Sequence, residues 1–370
     1  MENEEFESRE IKIFPAFNDN NIAIGMSCSN EYVPYLSVCL KSLVDNTSVD
    51  FNYDIIVFER SITEKNKLIL KNFIEKKNVS LRFVDPTPLI KNYSLSYPSF
   101  YAIECFFRLA SPIFLKEYDK IIFTDVDLVF QSDIKDLYQI DVLGKPLAAC
   151  QDSTMGFLLN YPDADWFEYC TKTLNLEKPY EYFNTGVMVL NIREFNEKGY
   201  VEKLFSIADG SNFRILEQDI LNAFFANGIK YIDESWNFPV TNKFYQPLLQ
   251  YMPYLLKQKY DIVKKAPKIV HWAGSEKPWV FPEEEMAEIW WSYARQVPFY
   301  EVILKRMTEV NLPNNTAIIE DVVNYKKNRF AYWKYKLKSK ITFGAKRQRY
   351  KVKRDTIKQK IRNAQSILNK

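Results

Sequence analysis

Short apolar segments alternate with segments of helical periodicity along most of this 370-residue chain. The apolar segments, each a strand candidate, are residues 22–27, 51–59, 79–85, 118–130, 146–150, 182–192 and 267–272. The helical segments between them include 32–46, 61–77 (opened by a capping box of Ser61 and Glu64), 100–114 and 217–228. Parallel strands need such long crossover connections, and strands buried on both faces read as continuous apolar runs. The alternation therefore predicts an α/β fold whose sheet is mostly parallel and covered by helices.

Composition argues against several classes of protein. Only nine glycines are present, too few to favour the glycine-rich loops that hold phosphates in many nucleotide-binding proteins. The five cysteines form no C-x-x-C pair, which is typical of reduced thiols rather than of disulfides or a zinc site. The first ten residues are acidic, and no apolar run approaches the ~18 residues of a membrane span. We therefore expect a cytoplasmic protein without a signal peptide or a transmembrane helix.

Positive charge is concentrated at the C-terminus of the chain. Residues 326–370 contain 17 lysines or arginines and a single acid, Asp355, although the net charge of the whole chain is only +3. This change in composition predicts one globular domain over 20–282 and a helical C-terminal extension over 283–370, with a basic tail from about 326. Within the extension, 290–304 is amphipathic and aromatic, which predicts a pair of helices packed on the domain.

Aromatic residues are interleaved with the cations of this basic tail. They are Phe330, Tyr332, Trp333, Tyr335, Phe343 and Tyr350. Aromatic rings favour the headgroup zone of a bilayer, and each surface-bound cation contributes roughly 1 kcal/mol on anionic lipid. We therefore predict that the tail binds an anionic membrane surface and holds the protein on the inner face of the cell membrane. The alternatives are a nucleic-acid-binding segment and an ordinary solvated helix face, and we expect no nucleic acid partner.

Two aspartates interrupt the apolar run IIFTDVDLVF. On an extended chain, their i, i+2 spacing places the carboxylates of Asp125 and Asp127 on the same face. Two carboxylates that are held close repel each other, so a cation is expected between them. Mn²⁺ or Mg²⁺ meets this need through oxygen ligands. The alternative is that the aspartates merely end the strand and cap the turn that follows.

The only histidine of the chain lies in a second polar cluster, IVHWAGSEKPW (269–279). His271 follows an apolar strand, and imidazole is a good ligand for manganese. Gly274 would let the backbone approach a phosphate closely, and Lys277 would supply a point charge to that phosphate. The alternative is a satisfied core histidine followed by an ordinary turn, which leaves the glycine and the lysine unexplained.

Several segments, in this order along the chain, resemble glycosyltransferase family 8, the retaining enzymes of the GT-A fold that include lipopolysaccharide galactosyl- and glucosyltransferases. They are SCSNEYVPYLSVCLKSL (27–43), FFRLA (106–110), FTDVDLVF (123–130), FNTGVMVLNI (183–192), EQDILN (217–222) and HWAGSEKPW (271–279). The resemblance covers about residues 22–305 and implies a single Rossmann-like GT-A catalytic domain with a mixed, mostly parallel sheet. It also implies that a hexose, galactose or glucose, moves from a UDP-sugar to a glycan or glycolipid acceptor such as a lipooligosaccharide or surface polysaccharide.

The family pattern implies roles for the two polar clusters. Asp125, Asp127 and His271 match the ligands of a Mn²⁺ or Mg²⁺ ion, and Asp125 also matches a contact to the donor. Gly274 and Lys277 match the contacts to the diphosphate. The resemblance thus implies an ion that bridges the two phosphates and neutralises charge as UDP departs.

The pattern also implies contacts to the base and to the leaving phosphate. Tyr32 matches the aromatic residue that stacks on uracil, and Arg108 matches a cation directed at the donor sugar and its phosphate. The alternative for Arg108 is a salt bridge on a helix surface. The family often has acidic residues just before the tyrosine, whereas this chain has Ser29 and Asn30 near that point, which could still hydrogen-bond uracil.

A third group of matches concerns the donor hexose. The matching residues are Asn184, Thr185 and Gly186, which line the sugar, and Gln218, Glu217 and Asp152, which match catalytic or adjacent polar positions. An amide is a poor nucleophile, so the resemblance favours a front-face displacement in which Gln218 stabilises an oxocarbenium-like transition state. A helix cap and a turn former are the alternatives for Glu217 and Asp152.

Two other functions compete with a glycosyltransferase. D-V-D-L-V also fits the nucleophile motif of haloacid-dehalogenase-type phosphatases, but that motif normally ends the first strand of its domain and here at least three strands precede it. A homologue that binds a UDP-sugar without catalysis is the second alternative. The metal and phosphate residues argue against it, because a non-catalytic binder has no need to retain all of them.

Overall fold

The computed structural model describes residues 12–91, 93, 95, 103–209, 213–225, 228–311, 329, 331–339, 342 and 344–368. The chain divides into two compact units, Met1–Tyr97 with Ile103–Tyr300, and Pro98–Ala102 with Glu301–Lys370. The predicted boundary between residues 282 and 283 falls inside the first unit, so the division into domains remains a prediction. The acidic first ten residues, Phe330 and Phe343 lie outside the described residues.

Among the described residues of the first unit, ten strands form two sheets. Their bounds are β1 Asn21–Ser27, β2 Asn52–Phe58, β3 Val79–Val84, β4 Ile121–Thr124, β5 Leu128–Phe130, β6 Leu147–Gln151, β7 Phe183–Leu190, β8 Lys230–Tyr231, β9 Phe238–Pro239 and β10 Ile269–His271. The main sheet has the order β3-β2-β1-β4-β7-β6-β8, and the smaller sheet has the order β5-β10-β9. β1 to β4 pair in parallel, whereas β7 is antiparallel to both β4 and β6. This mixed, mostly parallel sheet confirms the predicted fold class.

Helices cover the sheet, as the alternation of segments predicts. The bounds of the helices over residues 12–311 are α1 Val33–Asp45, α2 Glu64–Phe73, α3 Thr87–Ile90, α4 Phe107–Phe114, α5 Lys135–Tyr138, α6 Ser153–Leu158, α7 Trp166–Glu168, α8 Ile192–Lys198, α9 Tyr200–Ala208, α10 Leu216–Phe225, α11 Tyr254–Val263, α12 Ala287–Ala294 and α13 Tyr300–Asn311, of which α13 belongs almost entirely to the second unit. Every residue of β4 and β7 is buried, because α-helices or loops pack on both faces of the sheet centre. The turn at the end of β4 and the residues of β7 that belong to the site are therefore supported by buried strands.

The apolar segment 118–130, predicted as one strand, is two strands in different sheets. Main-chain hydrogen bonds hold the turn between β4 and β5: the Asp125 N–H donates to the Gly186 carbonyl at 2.8 Å, and the Trp272 N–H donates to the Asp127 carbonyl at 3.1 Å. β5 then pairs with β10 rather than with the main sheet. The prediction of a continuous strand was wrong because an apolar run does not reveal a change of sheet.

The predicted capping box of Ser61 and Glu64 is also corrected. Thr63 is the N-cap of α2, and its hydroxyl accepts the Asn66 N–H at 3.3 Å. Glu64 is the first residue of the helix and so cannot occupy the third helical position that a capping box needs. Two hydroxyl residues, Ser61 and Thr63, precede the helix, and the backbone geometry makes Thr63 the N-cap.

Two predicted helices have different bounds in the structure. The segment 100–114 is a 3-10 turn over Ile103–Phe106 followed by α4, and 100–102 lie outside the described residues. The segment 217–228 is α10, which ends at Phe225, and residues 226–227 are not described. Boundaries of this kind are the least reliable part of a pattern-based prediction.

The second unit contains two described helices within the basic tail, α14 (331–339) and α15 (Gly344–Leu368). Tyr335 and Tyr350 stack with ring centroids 6.0 Å apart, which joins the two helices. Lys338 lies over the Tyr350 ring and Lys353 over the Tyr335 ring, each at 5.7 Å. Among the described residues, no helix combines the length and the apolar character needed to cross a bilayer.

Candidate active site

The polar turn Asp125–Asp127 lies where the two sheets meet. It follows the carboxyl end of β4, touches the backbone of β7 and faces the end of β10. Crevices outside the carboxyl ends of parallel strands are where open α/β sheets bind ligands. The site is therefore built by strand ends from both sheets rather than by one continuous strand.

The structure brings the predicted metal ligands together. Oxygens of Asp125 and Asp127 and a ring nitrogen of His271 all lie within 4.8 Å of one another. The His271 Nε2 atom is 3.1 Å from Asp127 Oδ1 and 3.6 Å from Asp125 Oδ2. Carboxylate oxygens with one imidazole suit Mn²⁺ or Mg²⁺, so this donor set fits the predicted ion. The alternatives of a strand cap and a core histidine do not account for this convergence.

Each aspartate of the turn also has its own cationic partner. The Arg108 guanidinium donates to Asp125 and, at 2.6 Å, to the Thr185 carbonyl, while the Lys277 ammonium donates to Asp127. Arg108 is 5% exposed, so it is a buried residue of the site and not part of a helix-surface salt bridge. Buried paired charges of this kind hold one another in place, because removing one partner leaves the other unpaired.

The charges shift the pKa values of the paired groups. Burial would raise the pKa of Asp127, but Lys277 and His271 outweigh burial and hold that pKa well below its usual range. Burial would lower the pKa of Arg108, but Asp125 outweighs it and the pKa of the guanidinium is raised. Asp127 therefore remains a carboxylate, as a metal ligand must.

Gly186 leaves room for the imidazole of His271. A Cβ atom built on this glycine would lie 2.8 Å from His271 Nδ1, and closer still to its Cε1 atom. The Gly186 carbonyl also accepts the Asp125 N–H. The family resemblance placed this glycine beside the donor hexose, and the structure adds that it lies directly against the metal-ligand candidates.

A hydrogen-bonded group joins Gln218 to Asp152 and to β7. The Gln218 Oε1 atom accepts from the Thr185 N–H at 3.0 Å and from the Thr185 hydroxyl at 3.3 Å. Its Nε2 atom donates at 3.1 Å to Asp152 Oδ2, which also accepts from Asn184 Nδ2 at 3.0 Å. The other Asp152 oxygen caps α6, so Asp152 is a helix cap as well as a member of this group.

Asn237 was not among the residues found from the sequence. Its Oδ1 atom is 2.8 Å from His271 Nδ1, and its Nδ2 atom donates to Asn184 Oδ1 at 2.8 Å. It is buried at the end of a 3-10 turn that leads into β9. An asparagine in the segment SWNFP offers no motif, and only the pairing of β9 with β10 brings it to the histidine.

Among the residues predicted to hold the base and the diphosphate, Tyr32 packs against Trp279, which follows Lys277 in the same loop. Tyr32 is 40% exposed and meets Trp279 edge-on at 6.2 Å, while Tyr35 and Trp279 stack at 4.0 Å beneath it. Asn30 Oδ1 accepts from the start of α2, which leaves its amide N–H groups for other partners. The predicted contacts Ser29 and Gly274 are half-buried and exposed, respectively.

Glu217 is a buried acid beside Arg108, with Glu217 Oε1 3.6 Å from Arg108 Nε. Burial raises the pKa of Glu217 to about 7, an effect that Arg108 reduces and Asp125 reinforces. A carboxyl whose pKa is higher in the folded state stabilises the fold less as pH rises from about 4.5 to about 7. The charged form of Glu217 thus lowers the free energy of unfolding at neutral pH.

We expect Glu217→Gln to become more stable than the wild type as pH rises through this interval. The gain should reach up to about 3 kcal/mol, since one pKa unit corresponds to about 1.36 kcal/mol. The measurement is denaturant unfolding of both proteins across the interval, with chelator present. Glu177→Gln, at an exposed glutamate, is the control. A stability difference that does not change with pH would contradict the buried-acid explanation.

The fold and the site together define a glycosyltransferase of the GT-A type. The sequence model described as glycosyl transferase family 8 matches residues 23–281, and the chain belongs to that family. This membership confirms the predicted family and rules out the phosphatase alternative.

Similar proteins agree with this assignment. An unconfirmed glycosyltransferase of Haemophilus influenzae is 27% identical over 259 residues, which are 68% of this chain and 71% of that protein. The apo structure of the bifunctional glycosyltransferase WbbM matches with a TM-score of 0.74 and 25% identity, covering 80% of this chain and 53% of WbbM. The galactosyltransferase LgtC, solved with donor and acceptor sugar analogues, matches in fold with a TM-score of 0.59 and 19% identity, over 75% of this chain and 96% of LgtC. The chain thus spans about half the length of WbbM.

Proposed function

We propose that the protein is a retaining, metal-dependent hexosyltransferase that moves galactose or glucose from a UDP-sugar to a glycan or glycolipid acceptor. The observation that carries the proposal is the convergence of Asp125, Asp127 and His271 within 4.8 Å at the carboxyl end of the central strand. Arg108 and Lys277, the cations expected to meet a leaving diphosphate, border the same point. A Mn²⁺ or Mg²⁺ ion held by the three ligands supplies Lewis-acid neutralisation of the departing UDP.

Different residues of the site then contact different parts of the donor. With an ion held by Asp125, Asp127 and His271, the Lys277 ammonium, which now donates to Asp127, would be available to a diphosphate oxygen of the donor. Arg108 stays with Asp125 and the Thr185 carbonyl, which keeps a fixed cation beside the sugar-lining residues. Preorganised charges of this kind stabilise the charge that develops on a leaving group. Tyr32 offers the exposed ring on which a uracil base stacks.

Gln218 supports a front-face displacement rather than a covalent intermediate. An amide is a poor nucleophile, and both acceptor directions of its oxygen are already engaged by Thr185. These contacts instead fix the orientation of the amide dipole next to Asp152. A fixed dipole stabilises an oxocarbenium-like transition state without bonding to it, and attack from the face of the leaving group retains the configuration.

A donor screen tests this function. UDP release is measured from UDP-galactose, UDP-glucose and other UDP-sugars, with Mn²⁺, with Mg²⁺ and with chelator. We expect a preference for one of the two hexoses and a loss of release with chelator. Tight UDP binding without release from any donor would favour the non-catalytic homologue. UDP release that is unchanged by chelator would contradict the metal-dependent mechanism.

We further propose that the basic tail attaches the protein to the inner face of the cell membrane, where lipid-linked acceptors are presented. Several cations of α15 are exposed, among them Lys346, Arg347, Arg349 and Lys358. The aromatic residues Tyr335 and Tyr350 stack on each other instead of standing free. The proposed attachment is therefore mainly electrostatic, with roughly 1 kcal/mol for each cation near an anionic surface.

Neutralising the α15 cations tests the attachment. We expect the full-length protein with Lys346, Arg347, Arg349 and Lys358 changed to glutamine to lose at least about tenfold in affinity for anionic vesicles, by the same estimate per cation. Co-sedimentation with phosphatidylserine vesicles is the measurement. The control changes Lys65, Lys71, Lys172 and Lys178, exposed lysines of the first unit, to glutamine. Equal losses in both proteins, or none, would contradict a role of the tail.

A further inference from the structure

Asn237 links the metal-ligand histidine to the sugar-lining strand β7. Its side chain is buried, with 1% exposure, and contacts His271 through Oδ1 and Asn184 through Nδ2. Asn184 in turn donates to Asp152 Oδ2. The hydrogen bonds therefore run without interruption from His271 to the acid that holds Gln218.

The direction of these hydrogen bonds is set by the backbone of β7. The Gly186 N–H can only donate, and at 2.8 Å its acceptor is Asn184 Oδ1. The oxygen of Asn184 also faces Asn237, so Asn237 must donate a hydrogen bond to it from its own N–H group. The carbonyl oxygen of Asn237 is left facing the imidazole of His271. A carbonyl oxygen can only accept, so the Nδ1 atom of His271 has to carry a proton.

We propose that Asn237 is a positioning residue that holds His271 as the tautomer with a bare Nε2 atom, ready to coordinate the metal. The inference rests on the metal dependence of the proposed function. Nε2 is the nitrogen that lies 3.1 Å from Asp127 Oδ1 and 3.6 Å from Asp125 Oδ2. A nitrogen coordinates a metal through its lone pair, so a proton at Nε2 would block the third ligand.

Without Asn237 the carboxylates would favour the wrong tautomer. Asp127 Oδ1 lies within hydrogen-bond distance of Nε2 and can accept a hydrogen bond from a protonated Nε2, while Nδ1 would lose the acceptor that Asn237 supplies. The neutral ring would then present an N–H group to the site in place of a lone pair. Residues that orient a ligating histidine in this way are typically worth about 10–100-fold in metal affinity.

The chain has a single histidine, so the tautomer can be read directly. The full-length protein is labelled with ¹⁵N-histidine and purified without a histidine tag. Its two ring-nitrogen shifts are recorded on the metal-free protein over a range of pH, so that the neutral ring is identified from the shifts themselves. We expect a protonated Nδ1 and a bare Nε2 in the wild type. The proton should move to Nε2 in Asn237→Leu, a change of similar volume that removes the carbonyl.

Metal affinity is measured on the same proteins from free Mn²⁺ in electron paramagnetic resonance titrations. We expect a loss of about 10–100-fold for Asn237→Leu and a loss below about threefold for Asn237→Asp, which keeps an acceptor for Nδ1. Asn222→Leu is the matched control, because Asn222 is a buried asparagine that braces β7 at Phe183 without touching His271. It should lower stability and leave the tautomer unchanged.

Two results would overturn the inference. One is an unchanged tautomer in Asn237→Leu, and the other is a neutral wild-type ring with a proton on Nε2 and a bare Nδ1, which decides the matter even if the leucine variant does not fold. If the wild type shows the expected tautomer but binds no Mn²⁺, the orienting contact stands and the metal dependence of the proposed function fails instead.

Discussion

Asp127→Asn is expected to abolish metal-supported sugar transfer while the protein stays folded. The amide has no negative charge for the ion, and it also deprives Lys277 and His271 of their shared carboxylate partner. A metal that assists a leaving group is worth several kcal/mol, so kcat should fall at least about 100-fold. UDP release at saturating donor and Mn²⁺ is the measurement, with circular dichroism to establish the fold.

Asp163→Asn provides the comparison for this change. Asp163 is an exposed aspartate whose carboxylate accepts a long hydrogen bond, of 3.5 Å, from the Tyr161 hydroxyl. The activity of the Asp163→Asn protein should match that of the wild type. Wild-type activity in Asp127→Asn, at any concentration of Mn²⁺, would remove Asp127 from the mechanism.

Gly186→Ala is the second change for which we expect a large effect. The added methyl group would lie 2.8 Å from His271 Nδ1 and closer to Cε1, and both neighbours belong to a buried ring with little room to move. The imidazole must move from its present position beside Asp127, and displacing a positioned group by about 1 Å can cost on the order of 100-fold. We expect that loss in Mn²⁺ affinity, measured by titration of the metal-free protein.

Gly144→Ala separates this effect from a general loss of stability. Gly144 has φ +68 and no atoms near the position of a Cβ, so alanine there strains the backbone without touching the site. It should lower the unfolding midpoint and leave the Mn²⁺ affinity as in the wild type. If Gly186→Ala binds Mn²⁺ as tightly as Gly144→Ala does, the close approach to His271 has no functional consequence.

Hydrophobic pattern was sufficient for the general architecture. Continuous apolar runs such as 182–192 predicted strands buried on both faces, and β7 is buried along its whole length. The same pattern failed at 118–130, because a chain that leaves one sheet for another keeps both halves apolar. Only the pairing of β5 with β10 shows where the first strand ends.

The candidate site shows a similar division. Asp125, Asp127, His271 and Lys277 were singled out from residue type, spacing and resemblance, since metal and phosphate chemistry restricts which side chains can serve. The predicted position of the two aspartates on one extended strand was wrong, however. They do not share a face of one strand; they lie on a turn that the Gly186 carbonyl and the Trp272 N–H hold between two sheets.

The sequence by itself determined the class of fold, the family and the chemical types present at the site, because these depend on periodicity and on side-chain identity. Tertiary structure alone decided which groups meet. His271 and Asn237 are far apart in the chain and come within 2.8 Å because β9 and β10 pair. The direction of the hydrogen bonds is also decided only by the tertiary structure. A backbone N–H of β7 orients the side chain of Asn184, and Asn184 orients that of Asn237. The Asn237 oxygen then faces one nitrogen of His271, which leaves the other nitrogen facing the carboxylates.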